Sequence, residues 1–140
     1  MNSETVYTYD MLTVGMTSEL KRELLDTHID AFAQVSGDHN PLHLDPDYAR
    51  AAGFENRIAH GSLLASWISA ALAEHMPGRG TVYLRQTLEF RKPAMPGDQL
   101  SIHLTVLEKK RRGRVVFDTR ITEDTRGELL RGNAEVIAPV

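Results

Sequence analysis

The sequence of 140 residues contains no cysteine. Disulfide bonds, thiolate nucleophiles and cysteine-bound zinc are therefore excluded, and a reducing compartment is compatible with the chain. No apolar run approaches the roughly 20 residues of a membrane-spanning helix, and the N-terminus lacks the basic and apolar regions of a signal peptide. These absences predict a cytoplasmic protein that has no membrane partner.

The chain also has little excess of charge of either sign, because its formal net charge is only -3. A near-neutral chain argues against nucleic acid as the main partner. Internal repeats, low-complexity segments and linkers are absent, which predicts one domain over residues 1–140. The G-x-S-x-G elbow, the Walker phosphate loop and the H-E-x-x-H motif are absent as well, so serine-hydrolase, P-loop and zincin functions have no support.

Among the features that are present, residues 36–45, S-G-D-H-N-P-L-H-L-D, carry the most chemistry. Gly37 and the pair Asn40-Pro41 prevent a continuous helix, which predicts a shaped loop. In such a loop Asp38 and His43 can point at one small molecule and share a water, and a carboxylate beside an imidazole can move protons near neutral pH. Asp38 can equally serve to shape a turn, and these residues alone leave both interpretations open.

A metal site in this loop would use His39, His43 and Asp45. The usual His-x-x-x-His pair depends on helical spacing, which Pro41 interrupts. Asp45 precedes Pro46 and has the pattern of a helix N-cap. We therefore expect no metal and no cofactor here.

Three helices are predicted around the loop. The first begins at Thr27, where Asp30 completes a capping box, and ends at Gly37. A short helix over residues 46–52 follows Asp45. The longest candidate covers residues 61–76 and is nearly apolar on every side, which predicts a helix buried by a surrounding sheet.

Small side chains recur on that long helix every four residues, at Gly61, Ala65, Ser69 and Ala73. Tight packing on a sheet explains such a stripe. Gly61 also lies at the helix N-terminus, where free N–H groups favour a developing negative charge. Ser69 is a hydroxyl in a buried helix and needs a hydrogen-bond partner.

The remaining chain changes to the period of a strand. Alternating apolar residues predict strands over 82–90, 100–106, 115–121 and 130–138. Residues 6–16 are consistent with a lead-in strand or an arm, and residues 17–25 do not distinguish a strand from a loop. A basic turn at residues 109–114 is more simply a solubilising edge than a phosphate-binding site.

Two longer motifs, F-A-Q-V-S-G-D-H-N-P-L-H-L-D and I-A-H-G-S-L-L-A-S, resemble the MaoC-like hydratases, and most closely the single-domain (R)-specific enoyl-CoA hydratases. The resemblance covers about residues 27–136. It implies an α+β hot-dog fold, in which a curled antiparallel sheet wraps one long helix. It also implies hydration of a 2-enoyl-CoA to an (R)-3-hydroxyacyl-CoA, or the reverse dehydration.

The resemblance assigns roles to four residues. Asp38 and His43 are the catalytic pair, Gly61 binds the thioester oxygen and Ser69 hydrogen-bonds the catalytic aspartate. Ser62 stands where a larger apolar side chain is expected, and this departure concerns the shape of the acyl pocket. The physical chemistry agrees with the transfer, because hydration needs a base for water, an acid for C2 and a donor for the thioester oxygen.

The resemblance further implies a homodimer or a dimer of dimers that takes an acyl-CoA or acyl-carrier-protein thioester. Four arginines are candidate contacts for the phosphates of coenzyme A: Arg79, Arg85, Arg111 and Arg112. A hot-dog thioesterase, a 3-hydroxyacyl-carrier-protein dehydratase and a non-catalytic acyl-thioester binding domain are the alternatives.

Overall fold

A computed structural model describes residues 5–140. Its centre is a curled antiparallel sheet of six strands in the order β1-β4-β5-β6-β2, with β3 paired to β6. The strands are β1 (Thr17–Glu23), β2 (Val82–Gln86), β3 (Glu89–Phe90), β4 (Gln99–Lys109), β5 (Arg114–Glu123) and β6 (Gly127–Ile137). The helices are α1 (Asp26–Ser36), α2 (Pro41–Leu44), α3 (Pro46–Ala51) and α4 (Gly61–Glu74).

The core lies between α4 and the sheet. Alternate residues of β5, including Val115, Phe117 and Ile121, point into it and are fully buried, as the strand period predicts. From α4, Trp67 and Ile68 pack against them within one hydrophobic cluster. This burial, rather than intrinsic helix propensity, holds α4 in place.

Within one chain the sheet buries one side of α4, as predicted, and leaves the opposite side uncovered. Ser62 and Ser66 are exposed, and the stripe that includes Ala65, Ser69 and Ala73 is only half-buried. The apolar residues on the covered face are sufficient to anchor the helix on the sheet. The small residues therefore line a surface and not the core.

The helix before the loop starts at Asp26, and the predicted capping box of Thr27 with Asp30 is wrong. His28 provides the cap instead, because its Nδ1 accepts a hydrogen bond of 3.0 Å from the Leu25 N–H. Asp30 forms an ion pair of 2.8 Å with the buried Arg57. The predicted end is confirmed, since Gly37 adopts the left-handed conformation at φ 77°.

The loop itself contains a single helical turn, α2, which the sequence did not predict. The Asn40 side chain caps this turn by accepting a 3.1 Å hydrogen bond from the Leu42 N–H, and Pro41 occupies its first position. The next cap is confirmed as predicted: Asp45 Oδ1 accepts hydrogen bonds of 2.9 and 3.2 Å from the N–H groups of Asp47 and Tyr48. The two caps determine where α2 and α3 begin.

The predicted strand over residues 82–90 is interrupted at residues 87 and 88 and forms β2 and β3. Residues 17–23 form an edge strand, whereas residues 9–11 form a 3-10 helix and no strand covers residues 6–16. Within residues 5–140, no helix has the length and apolar character needed to cross a membrane.

Candidate active site

Asp38 lies in the first turn after α1, with its side chain exposed. Its N–H donates a 3.1 Å hydrogen bond to Ser36 Oγ, and its Oδ1 accepts one of 3.1 Å from the Asn40 N–H. The turn-shaping role is therefore real, but it uses only one carboxylate oxygen. The second oxygen can accept a proton or a hydrogen bond from a ligand.

His43 lies on α2 and is half-buried. Its Nδ1 is 2.8 Å from the main-chain oxygen of Ile58. Because a carbonyl can only accept, Nδ1 carries the proton, and the neutral ring then presents an unprotonated Nε2. The structure thus provides His43 with the tautomer that a general base requires.

His60 is the third member of the site, and the sequence analysis gave it no role there. Its ring is 2% exposed and stacks on His43 with a centroid distance of 3.9 Å and an angle of 28°. Its Nε2 donates a 3.1 Å hydrogen bond to the main-chain oxygen of Asp38. The available signal was its position in A-H-G, directly before the helix, but nothing in the sequence predicts that the ring turns back toward the loop.

Asp38, His43 and His60 each have a side-chain oxygen or nitrogen atom that lies within 4.8 Å of such an atom in the other two. One water can bridge a carboxylate and an imidazole over such a spacing. A metal fits less well, because stacked rings direct their lone pairs along nearly parallel planes and not toward one point. The other metal candidates have structural partners: Asp45 caps α3, and His39 Nδ1 contacts the Gly37 carbonyl at 3.0 Å.

A cleft of about 470 Å³ connects His43 with the start of α4, where Gly61 and Ser62 line its wall. Gly61 occupies the first helical position, so its N–H has no partner within the helix. A Cβ at this position would lie 2.6 Å from the Phe90 ring. Glycine therefore lets the aromatic ring approach the helix N-terminus closely while the N–H stays available to a ligand.

Ser69 does not line the cleft that holds His43 and Gly61. It follows Gly61 by eight residues, which is about 12 Å along a helix. There it lines a second cleft with Tyr83 and Gln86 of β2 and with Leu88, which follows that strand. Within one chain, the structure brings Asp38, His43 and Gly61 together but does not place Ser69 with them.

None of the four predicted phosphate contacts lines the cleft that holds His43. Arg79 forms an exposed ion pair of 3.4 Å with Glu74, beyond the far end of α4. Arg85 lines the second cleft, and Arg111 and Arg112 line a basic surface at the turn between β4 and β5. This turn meets the end of β6, whereas the first cleft meets its start.

The cations that do line the first cleft are Arg91 and Lys92. Arg91 forms an ion pair of 3.0 Å with Glu89, and Lys92 Nζ donates a 2.6 Å hydrogen bond to the Arg126 carbonyl. Sequence reasoning missed both, because their position depends on how the chain returns from β2 to β3.

Comparisons with known proteins agree with this fold. The family model of the MaoC-like domain matches residues 11–126. A 3-hydroxybutyryl-CoA dehydratase of Methylorubrum extorquens is 37% identical over 134 residues, covering 94% of this chain and 83% of that protein. An (R)-specific enoyl-CoA hydratase of Rhodospirillum rubrum is 36% identical over 135 residues, covering 94% and 91%. The unliganded R-hydratase PhaJ1 of Pseudomonas aeruginosa has a TM-score of 0.92 at 43% identity, covering 96% and 86%.

The curled sheet around α4 and the cleft at the start of that helix define a hot-dog protein. More narrowly, the chain belongs to the MaoC-like family. The family resemblance and the hot-dog fold predicted from the sequence are confirmed.

The burial of His60 leads to a prediction about stability and pH. Desolvation lowers the pKa of His60 below its ordinary value of 6.5, and the nearby His43 and Arg57 act in the same direction, against the hydrogen bond to the Asp38 carbonyl and the Asp38 charge. The unfolded chain therefore binds this proton more readily, so stability should fall as the pH drops below about 6.5. We expect Tm to decrease between pH 7.5 and 5.5, and His60→Phe to flatten the decrease. Parallel Tm curves for the two proteins would contradict this account.

Proposed function

We propose that the protein hydrates trans-2-enoyl-CoA thioesters to (R)-3-hydroxyacyl-CoA and catalyses the reverse dehydration. The observation that carries this proposal is the meeting of three groups in one place: Asp38 and His43 lie next to each other, and His43 shares a cleft with Gly61 at a helix N-terminus. An acid–base pair and an oxyanion donor are the two requirements of addition to a conjugated thioester. The activity makes the protein a hydro-lyase.

In this mechanism Asp38 and His43 are the catalytic residues and hold one water between them. The Asp38 carboxylate accepts hydrogen bonds, and the Nδ1–H tautomer of His43 presents the Nε2 lone pair, so both can accept the protons of that water. A new bond forms between the water oxygen and C3 as one O–H bond breaks to the pair. The pair then returns a proton to C2, and atoms and charge balance over the cycle.

Negative charge develops on the thioester oxygen while C3 is attacked. In the proposal the Gly61 N–H donates a hydrogen bond to this oxygen, and the positive end of the α4 dipole adds to the stabilisation. The neighbouring Phe90 ring packs closely against one side of Gly61. Removing one such donor from an oxyanion site typically costs about a hundredfold to a thousandfold in kcat.

A second copy of the chain covers the exposed face of α4 in the proposed assembly. β2 is an edge of the sheet, and its apolar residues Val82, Tyr83 and Leu84 are 50%, 39% and 42% exposed. An open apolar edge next to a stripe of small residues favours self-association. Light scattering should give twice the mass of one chain, and Ala65→Glu on the stripe should yield monomers. A monomeric wild-type protein would refute the proposed homodimer.

Recognition of coenzyme A is assigned, in the same proposal, to cationic side chains near the cleft. Arg91 and Lys92 are nearest within one chain, while Arg79, Arg85, Arg111 and Arg112 reach a bound thioester only if a second copy presents them. Reversing the charge at Arg91 should raise KM for CoA substrates if the contacts lie within one chain. The same change at Arg111 and Arg112 should raise KM only if a second copy brings this turn to the bound thioester. Ser69 would contact Asp38 only across the same dimer contact.

The first experiment uses crotonyl-CoA and follows the loss of the conjugated enoyl absorbance, with chiral analysis of the product. Rapid loss that gives the (R)-3-hydroxy product is expected. A parallel assay with crotonyl-acyl-carrier-protein identifies the preferred carrier. Release of free thiol without hydration would indicate a thioesterase, and binding without turnover would indicate an acyl-thioester binding domain.

A further inference from the structure

His60 is a buried histidine in the site to which the proposed mechanism gives no task. It occupies the N-cap position of α4, yet its side chain makes no capping hydrogen bond there. The ring instead lies between Phe32 of α1, at a centroid distance of 4.8 Å, and His43 of α2, at 3.9 Å. One side chain therefore contacts both helices that flank the Asp38 loop.

The polar atoms of His60 are used unequally. Nε2 carries a proton, because it donates to the Asp38 carbonyl at 3.1 Å. Nδ1 is buried and has no hydrogen-bond partner among the described residues. An unpaired buried nitrogen is unfavourable, so a phenylalanine would fill this space at least as well on packing grounds alone. The presence of histidine indicates that the Nε2–H bond to Asp38 has a purpose other than stability.

We propose that His60 is a positioning residue for the Asp38–His43 pair: its Nε2–H fixes the main chain of Asp38, and its ring supports the imidazole of His43. The inference rests on the proposed hydratase function. His60 directly precedes Gly61, so the same residue also sets the distance between the pair and the oxyanion donor. A displacement of about 1 Å in such a site can lower the rate about a hundredfold.

Two substitutions separate the two contributions of His60. His60→Phe keeps a flat ring on His43 but removes the donor, and His60→Gln keeps an N–H donor but removes the ring. With crotonyl-CoA we expect His60→Phe to lower kcat by about tenfold to a hundredfold while KM changes by less than about twofold, as for an interaction that matters in the transition state. His60→Gln should recover most of the lost kcat.

The control is His103→Phe, which removes a side-chain hydrogen bond of 3.0 Å to Thr122 on the distant part of the sheet. This variant should keep the wild-type kcat and KM. The proposal is overturned if folded His60→Phe has the wild-type kcat, or if it raises KM at constant kcat, which would make His60 a wall of the binding cleft. It is also overturned if His60→Gln is no faster than His60→Phe.

Nitrogen-15 NMR of the wild-type protein tests the geometry without a substitution. The proposal requires the Nε2–H tautomer for His60 and the Nδ1–H tautomer for His43, and the Nδ1–H tautomer at His60 would overturn it. Failure of the proposed function can be distinguished from failure of the positioning role. A wild-type protein that hydrates no enoyl thioester would refute the hydratase function. Hydratase activity in the wild type together with an unchanged kcat in His60→Phe would refute only the positioning role.

Discussion

Replacing Asp38 with asparagine or His43 with glutamine should lower kcat for crotonyl-CoA by about two to four orders of magnitude, the usual contribution of a positioned acid or base. Asp38→Asn preserves the turn, because the amide oxygen of the new side chain can still accept the hydrogen bond from the Asn40 N–H. The amide cannot accept a proton near neutral pH. His43→Gln removes the Nε2 lone pair that the hydrogen bond to Ile58 leaves available in the wild type. The loss should therefore appear in kcat, with the fold intact.

The double variant gives a sharper test of the shared water. If Asp38 and His43 act as one unit, removing both should cost about as much as removing one, because the first substitution already abolishes proton transfer. Asp47→Asn is the matched control, since this exposed carboxylate forms a surface ion pair with Arg50. Normal turnover in both folded single variants would refute the assignment of the pair.

Local sequence signals were sufficient for much of this site. Asp45 before Pro46 predicts a cap because the cap needs only neighbouring atoms, and Gly37 predicts a helix end because of its left-handed conformation. The motif around Asp38 and His43 likewise lies within one short loop. These features depend on chemistry that is complete within about five residues, so a single sequence contains the information.

The features that were missed depend on contacts between distant segments. His60 joins the site only because α4 packs against α1 and α2, and the orientation of its ring cannot be read from A-H-G. Arg57 is buried because it reaches Asp26 and Asp30 on α1, at 2.8 Å from each. Neither packing is encoded by local period or capping. The same holds for the exposed stripe on α4, because the apolar composition of the helix does not show which side the sheet covers.

The return of the chain from β2 to the cleft depends on a contact that sequence reasoning did not identify. At Gly132 on β6, an added Cβ would lie 1.8 Å from the Thr87 carbonyl oxygen and 2.6 Å from its carbon. Thr87 is held there by two hydrogen bonds of 2.9 Å to Asn133, one from its own N–H and one to its Oγ1. The obstructing atoms belong to the main chain, so a side-chain rotation cannot relieve the clash.

Gly132→Ala should therefore destabilise the protein by about 3 kcal/mol, at the upper end of the usual cost of overpacking. The displaced segment continues into β3, so Phe90 should also move away from Gly61 and kcat should fall in the molecules that remain folded. The control is Asn133→Ala, an exposed neighbour on the same strand that should change the free energy of unfolding by less than about 0.5 kcal/mol. Urea unfolding at one protein concentration measures both variants. Equal unfolding free energies would show that Thr87 can yield, and that the close crossing over Gly132 does not determine the position of Phe90.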